Sequence, residues 1–516
     1  MNALRSWMLA YSVAMLLLQP PYLLAQAPET AFHTAIHSLS TERMLADIRT
    51  LSGPSFNGRQ SGTVDDLESA RWVAQEFISA GLRLPRIHNG SLIFPFPIGK
   101  DGAASGAMAT LVPTVSLSPD PMLRTGTAQG LLTQQIGTDY FPIFDSPSAD
   151  VQGRIVFVGY GIVDPAQGID DYAGVDVNNC IVLFLRGKPD HYPRHVSHAD
   201  KVRFARERGA IGYLTATGPL LQPYEIRRGV TGSPSAFYGQ LPLDQAIPGA
   251  WISTAIAKEI LAESTGEAPD RLRGLQEQLN QTRTSQAVPT NKFALLQWKT
   301  TTTEGTLINV IGTISGTETD AVIIGAHRDH FGRVGGVLFP GADDNASGTA
   351  VILEVARALS KTGVRPSRTI LFVSFSGEER DLLGSRLYTS RAIVPLNTTK
   401  AMINVDHAGV GNGRLTVGVT GLEKDVLLET GKTAGVHEKL DLYGFFPGGD
   451  HVPFKEAGVP TVTVVSGGVH PHFHQPTDTV ATIDPEILTT VARYVLAVTW
   501  QLAYKTEVKV EVDPRP

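Results

Sequence analysis

Cysteine is almost absent: Cys180 is the only one in 516 residues. The chain cannot staple itself with an internal disulfide, and Cys180, lying within an apolar run, reads as a buried small hydrophobe. No cysteine stands near the amino terminus to receive a lipid. A basic run is also missing. The formal net charge of -6 arises from 44 Lys+Arg against 50 Asp+Glu with the signs mixed, so nothing electrostatic recommends a nucleic acid as partner. The apolar run Trp7 to Leu18 falls short of the roughly 20 residues that a spanning helix needs.

That short run has the form of an export signal. Arg5 precedes it, Pro20 and Pro21 break it, and Leu23-Leu24-Ala25 offers a small residue for cleavage before Gln26. The expectation is a signal peptide over 1–25 and a mature protein, secreted or periplasmic, with no membrane attachment after its removal. Mass spectrometry of exported material reads the new terminus directly.

At 42% hydrophobic and 18% charged the composition is that of a soluble globular protein, and 516 residues imply two domains or one domain with a large insert. The texture supports the second form. From Thr41 to Leu82 the pattern is helical, with Leu67, Ala70, Ala74, Phe77 and Ile78 at helix spacing before Gly81, and Arg59 among glycines in the loop before them. From 128 to 289 short β-rich runs such as Arg154 to Gly159 and Cys180 to Leu185 alternate with Gly, Pro and Asp. After residue 290 strands and helices alternate: Thr306 to Ile314, Ala321 to Ala326, Thr369 to Phe375, Ala401 to Val405 and Val459 to Val465 read as strands. Asp484-Pro485-Glu486 opens a helix with Ile487, Val491, Val495 and Leu502 on its buried face. The expected fold is α/β, a mixed, mostly parallel sheet flanked by helices, built from 26–127 and 290–516 around a β-rich insert.

Four of these strands end in residues that bind metals or protons. Ala321 to Ala326 runs into His327 and Asp329, a histidine with a carboxylate able to fix its tautomer. Phe375 leads to Glu378-Glu379, Val405 to Asp406-His407, and Val465 to a segment holding His470, His472 and His474. A glycine-flanked loop, Gly341 to Gly348, carries Asp343 and Asp344 into a helix. In parallel sheets reactive groups collect beyond the carboxyl ends of strands, so these segments can converge. Adjacent acids on a loop point different ways, which lets Glu379 bind a metal while Glu378 holds a water. If Asp343 bridges, with His327 and Asp406 on one ion and Glu379 and His474 on the other, three carboxylates and two imidazoles face two divalent cations, a mixed set that suits zinc. His191, His195 and His198 lie in a proline-broken loop without partner acids and are not expected to bind metal.

His327-Arg328-Asp329, Gly341 to Gly348, Gly377-Glu378-Glu379, Asn404-Val405-Asp406, Gly449 to Phe454 and Phe473 to Thr479 resemble, in order, the motifs of the di-zinc exopeptidases of metallopeptidase family twenty-eight. The resemblance implies the zinc exopeptidase fold and two zinc ions. It makes His327, Asp343, Glu379, Asp406 and His474 the ligands, Asp343 the bridge, Glu378 the general base and Asp329 the residue orienting His327. Asp450 and His451 would stand near the substrate. The block from about 130 to 288 is similar to the protease-associated domain that many members insert, with Tyr160-Gly161-Ile162-Val163 and Arg186-Gly187-Lys188 as its typical phrases. His470 or His472 could compete as a ligand, but only His474 stands at the family spacing from Asp478.

The expected function is that of a zinc aminopeptidase acting on peptides, with a metal-held hydroxide and Glu378 as base. A glutamate carboxypeptidase would share every metal residue. A glutaminyl cyclotransferase of this fold would use one zinc, and a non-enzymatic receptor would be expected to have lost ligands or Glu378. An acid-rich site suits a substrate's α-ammonium, whereas Arg328 and Arg333 could clamp a carboxylate. The preferred residue at the cleavage point and the oligomeric state are not written in the sequence.

Overall fold

The computed structural model describes residues 28–85, 106–222, 225–226, 229–262 and 270–505. The segment read as a signal peptide lies outside them.

Thr369–Phe375, Ala321–His327, Thr399–Asp406 and Thr461–Ser466 lie side by side as parallel strands. Their near-continuous apolar sequences follow from burial on both faces. In Ala321–His327 the side chains of Val322, Ile324 and Ala326 join one core layer with helices Thr41–Leu51, Gly348–Lys361 and Pro485–Tyr504. Ala321 and Ile323 join the opposite layer with Tyr388 and Phe454, the period-2 alternation of a strand. Thr300–Ile314 and then Ala107–Leu117 extend the sheet antiparallel on one side; Leu415–Thr420, antiparallel to Thr461–Ser466, and Leu440–Tyr443 complete it on the other. The result is a mixed eight-stranded sheet with a parallel centre, as the sequence pattern implies.

Register decides where the loops go. His327 pairs with Phe375, Gly325 with Asn404 and Asp406 with Val465. The four parallel strands therefore stop at one level, and the segments beyond them meet along a single edge.

The helical pattern of 41–82 is realised as two helices, Thr41–Leu51 and Val64–Ser79. Gly53-Pro54 interrupts the first, and Asn57 and Arg59 adopt left-handed backbone (φ 48° and 53°) before the Thr63 side chain caps the second. Asp66 in that second helix is buried and faces Arg328 at 2.7 Å. The same guanidinium donates to the carbonyls of Ile308 (2.7 Å), Ser374 and Phe375 (both 3.2 Å), while Ser376 Oγ donates to Asp66 at 2.7 Å. One ion pair thus ties the helix Val64–Ser79 to two strands, Thr300–Ile314 and Thr369–Phe375, beneath the edge. Removing one partner of a buried pair strands the other charge. Asp66→Ala is expected to cost about 3–5 kcal/mol, measured as a fall in denaturation midpoint; an unchanged midpoint would show that Arg328 finds another partner.

The carboxy-terminal helix starts as expected, Asp484 Oδ1 accepting from the amides of Glu486 (2.7 Å) and Ile487 (3.3 Å), which satisfies first-turn donors.

Between the paired strands Ala107–Leu117 and Thr300–Ile314 the chain forms a second eight-stranded sheet, running in sequence from Met122 to Trp298. It is wider than the 128–289 read from texture because Met122–Thr127 pairs with Val288–Trp298. Ser118 N donates to Lys299 O at 2.8 Å, so the chain leaves and re-enters the first sheet at neighbouring points. Its helix His198–Glu207 carries a capping box between Ser197 and Asp200, two orphan amides satisfied reciprocally. Cys180 is half-buried rather than fully buried, because it precedes the strand Ile181–Leu185 instead of lying within it. Among the described residues no helix is long and apolar enough to cross a membrane.

Candidate metal centre

Most of the expected donors meet at the carboxyl edge, but they meet around Asp344. His327 Nε2 lies 3.4 Å from Asp344 Oδ1 and 3.4 Å from Asp406 Oδ1. His474 Nε2 lies 3.2 Å from Asp344 Oδ2 and 3.4 Å from Glu379 Oε2. One carboxylate therefore presents its two oxygens to two separate sets. Asp343, read from sequence as the bridge, does not stand there. Its Oδ1 accepts from Gly409 N at 2.8 Å and its Oδ2 faces His470 Nδ1 (2.8 Å) and His407 Nδ1 (3.2 Å).

The reason is a single residue downstream. Asp478 Oδ1 accepts from the Asp343 amide (2.8 Å) and Asp478 Oδ2 from the Asp344 amide (3.0 Å). With successive amides pinned to one carboxylate, the two aspartate side chains must leave the loop in different directions. Burial, followed by the nearby Asp343, pushes the Asp478 carboxyl up to about 8. Arg59 fixes the same loop from beneath. Fully buried, it donates to Pro340 O (2.8 Å), Gly341 O (2.9 Å), Arg328 O (2.6 Å) and Leu51 O. Burial lowers its guanidinium to about 10, and four aspartates including Asp478 and Asp329 oppose that shift.

Asp329 works differently from the expectation. His327 Nδ1 donates to the main-chain carbonyl of Asp329 at 3.1 Å, whereas the Asp329 carboxylate stands 3.7 Å from that nitrogen. The carboxylate instead accepts the amide of Glu378 at 3.3 Å. So Asp329 holds the ring with its backbone and the glutamate loop with its side chain. Glu378 Oε2 is 3.9 Å from His327 Nε2, close to the cluster yet outside the donor sets.

Asp450 is fully buried, and burial pushes its carboxyl up to about 7; its charge also acts on Glu378. His451 Nε2 donates to Phe446 O at 3.0 Å. Of the three histidines in the last loop only His474 reaches Asp344 and Glu379: His470 is spent on Asp343 and Ser466 O, and His472 Nδ1 pairs with Thr477 Oγ1 at 2.9 Å. His191 pairs with Asn280 O and His198 with Tyr213 OH, and the clusters of possible metal donors found among the described residues all lie at the first sheet's edge.

His330 escaped the sequence reading, and His407 was named at its strand exit without a role. His330 Nδ1 lies 2.7 Å from Glu379 Oε1 and is buried; its place in His327-Arg328-Asp329-His330, three residues past the end of the strand, was the available signal. His407 stands between Asp343 and the main cluster, its Nε2 3.8 Å from Asp344 Oδ2. Burial disfavours its charge, but Asp344 and Asp406 outweigh that and push it up to about 10.

Zinc fits these residues. Bonds of about 2.0–2.1 Å in a tetrahedron put neighbouring donors about 3.3–3.4 Å apart, and the four separations around Asp344 are 3.2–3.4 Å. Asp406 Oδ1, one of these donors, is buried without a hydrogen-bond partner. Burial drives the Glu378 and Glu379 carboxyls well above the usual range, and their acidic neighbours add to it. Burial also pushes the Asp344 carboxyl up, but His407, His474 and His330 hold it well below the usual range. Buried carboxylates this close repel one another unless cations stand among them.

Residues 309–499 match the family model described as Peptidase family M28. Aminopeptidase YwaD of Bacillus subtilis is 32% identical over 197 residues, which cover 36% of this chain and 42% of that protein. A protein of Arabidopsis thaliana named "Probable glutamate carboxypeptidase AMP1" is 28% identical over 379 residues, covering 64% and 50%. The chain thus spans about half the length of the curated relatives it matches. The solved aminopeptidase from Aneurinibacillus sp. strain AM-1 superposes with a TM-score of 0.65 over 93% of this chain and 98% of that one, at 23% identity, a likeness of fold. The segment that matches this family model, 309–499, contains every residue of the Asp344 cluster, from His327 to His474.

Proposed function

We propose that the chain is a zinc-dependent exopeptidase, an aminopeptidase that hydrolyses the first peptide bond of its substrate. The observation that carries this reading is the Asp344 carboxylate standing between two largely buried donor sets with Glu378 beside them. Two ions would be held, one by His327, Asp344 and Asp406 and the other by Asp344, Glu379 and His474. Zinc so held supplies Lewis acidity, polarising a carbonyl and lowering the pKa of a water. The chain's own part in bond cleavage falls to Glu378, which takes a proton from the attacking water and returns it to the leaving amine. Its loop is kept in place by the Asp329 carboxylate on the Glu378 amide.

Amino-terminal action is supported by how Arg328 and Arg333, the two arginines that follow the central strand, are engaged. Arg328 is consumed by Asp66 and three carbonyls, and Arg333 by Asn57 Oδ1 (2.7 Å) and Gly336 O (2.9 Å). The Arg328 guanidinium is therefore not free to clamp a substrate carboxylate and that of Arg333 is held toward Asn57, whereas the concentration of acids suits an α-ammonium. The curated relative YwaD is named an aminopeptidase. The alignment with AMP1 keeps a glutamate-carboxypeptidase-like dipeptidase as the second reading. Purified protein offered aminoacyl reporters and N-acetylated dipeptides is expected to cleave the first and spare the second. Cleavage of the acylated dipeptides alone would reverse the assignment. Export, and the protease-associated character of the second sheet, belong to the same proposal.

A further inference from the structure

The two halves of the Asp344 cluster are not held in the same way. His327 is oriented by its own neighbour, the carbonyl of Asp329, 3.1 Å from Nδ1. His474 Nδ1 instead meets the carbonyl of Ala236, 3.1 Å away, in the part of the chain that builds the second sheet. A carbonyl only accepts, so this contact puts the proton on Nδ1 and turns the Nε2 lone pair toward Asp344 and Glu379. The opposite tautomer would carry a proton where a metal donor is needed.

The contact belongs to an extended junction. Ala236 N donates to His474 O at 3.2 Å, and Gln475 Nε2 donates to Pro234 O (2.9 Å) and Ser235 Oγ (2.7 Å). A Cβ on Gly229 would stand 1.8 Å from His470 O, so the two loops approach as closely as a glycine allows. Behind them Tyr238 stacks on Phe331, whose ring lies 4.6 Å from that of His474. Ala236, Tyr238, Phe331 and Phe339 share one small buried core.

We infer that the segment Gly229 to Gln240 is a positioning element for the Glu379–His474 half of the centre, so that docking of the second sheet and zinc loading of that half are one coupled equilibrium. The inference rests on the proposal that His474 is a zinc donor. It gives the second sheet a task at the metal centre. Coupling is reciprocal: if docking tightens zinc, zinc must tighten docking by the same factor.

The test uses the full chain and zinc itself. Gln475→Ala loosens the junction from the first sheet's side and Gly229→Ala from the other. Each is expected to weaken one zinc equivalent about 10–100-fold in chelator competition, the usual cost of losing a group that orients a ligand, and to leave the other equivalent unchanged. Gln475→Ala removes only a side chain, so it keeps the question answerable should Gly229→Ala fold poorly. In the wild type, added zinc is expected to slow amide exchange across 232–238, where the Ala236 amide is bonded to His474 O. Arg194→Ala, on the exposed side of the second sheet, is expected to change none of these readouts. Wild-type affinity for both equivalents in the Gln475 variant, or exchange across 232–238 indifferent to zinc, would overturn the coupling. His474→Ala separates the two levels. If that variant keeps both equivalents, the metal reading itself is wrong; if it loses one while the junction variants lose none, only the coupling is.

Discussion

Glu378→Gln is expected to retain the fold and both zinc equivalents while slowing turnover by about 10²-fold to 10⁴-fold, the usual scale of acid-base assistance. Glutamine keeps the size of the side chain, and the Glu378 amide that rests on Asp329 is untouched. What disappears is a carboxylate able to take a proton. The neighbour makes the contrast. Glu379 receives His330 on one oxygen at 2.7 Å and faces His474 with the other at 3.4 Å, so Glu379→Gln removes a donor rather than a base. It is expected to lower zinc occupancy, and excess zinc is expected to restore part of the rate. No amount of zinc should rescue the Glu378 variant. Zinc content by mass spectrometry beside kcat distinguishes the two, and near-normal kcat in Glu378→Gln would remove Glu378 from the role of base.

How far the sequence could be read depended on whether a role is set by neighbours in the chain or by neighbours in space. The parallel core was legible because strands buried on both faces advertise themselves as unbroken apolar runs, and Thr369–Phe375 appears in the fold with the bounds read from its residues. Since such strands end level, His327, Glu379, Asp406 and His474 could be expected to meet. Asp329 was legible as a partner of His327 but not in its manner, because the choice between carbonyl and carboxylate is made by the turn. Arg59 looked idle in a glycine-rich loop. Its partners are carbonyls at Leu51, Arg328, Pro340 and Gly341, and no local pattern announces a guanidinium spent on distant backbone. The Ala236 contact is further from view still, since a main-chain carbonyl leaves no mark in the side-chain sequence.

The choice between Asp343 and Asp344 is the sharpest case, and it carries the second large effect. Spacing alone could not say which of two adjacent acids faces the cluster; the hydrogen bonds that the amides of Asp343 and Asp344 donate to Asp478 settle the direction of each side chain. Asp344→Asn replaces an anion that faces both donor sets with a neutral amide offering one oxygen and one NH₂ group. It cannot serve as acceptor on both sides. Zinc affinity is therefore expected to fall beyond the roughly 100-fold ceiling typical of residues that merely orient a ligand, for both equivalents together, with activity lost alongside. Asp343→Asn keeps an oxygen for the Gly409 amide and disturbs only His407 and His470. Its effect on zinc is expected to stay below that ceiling. Chelator titration of the two variants decides the matter: if Asp343→Asn strips both ions while Asp344→Asn keeps them, the bridge stands one residue earlier and the direction of the loop carboxylates must be reversed.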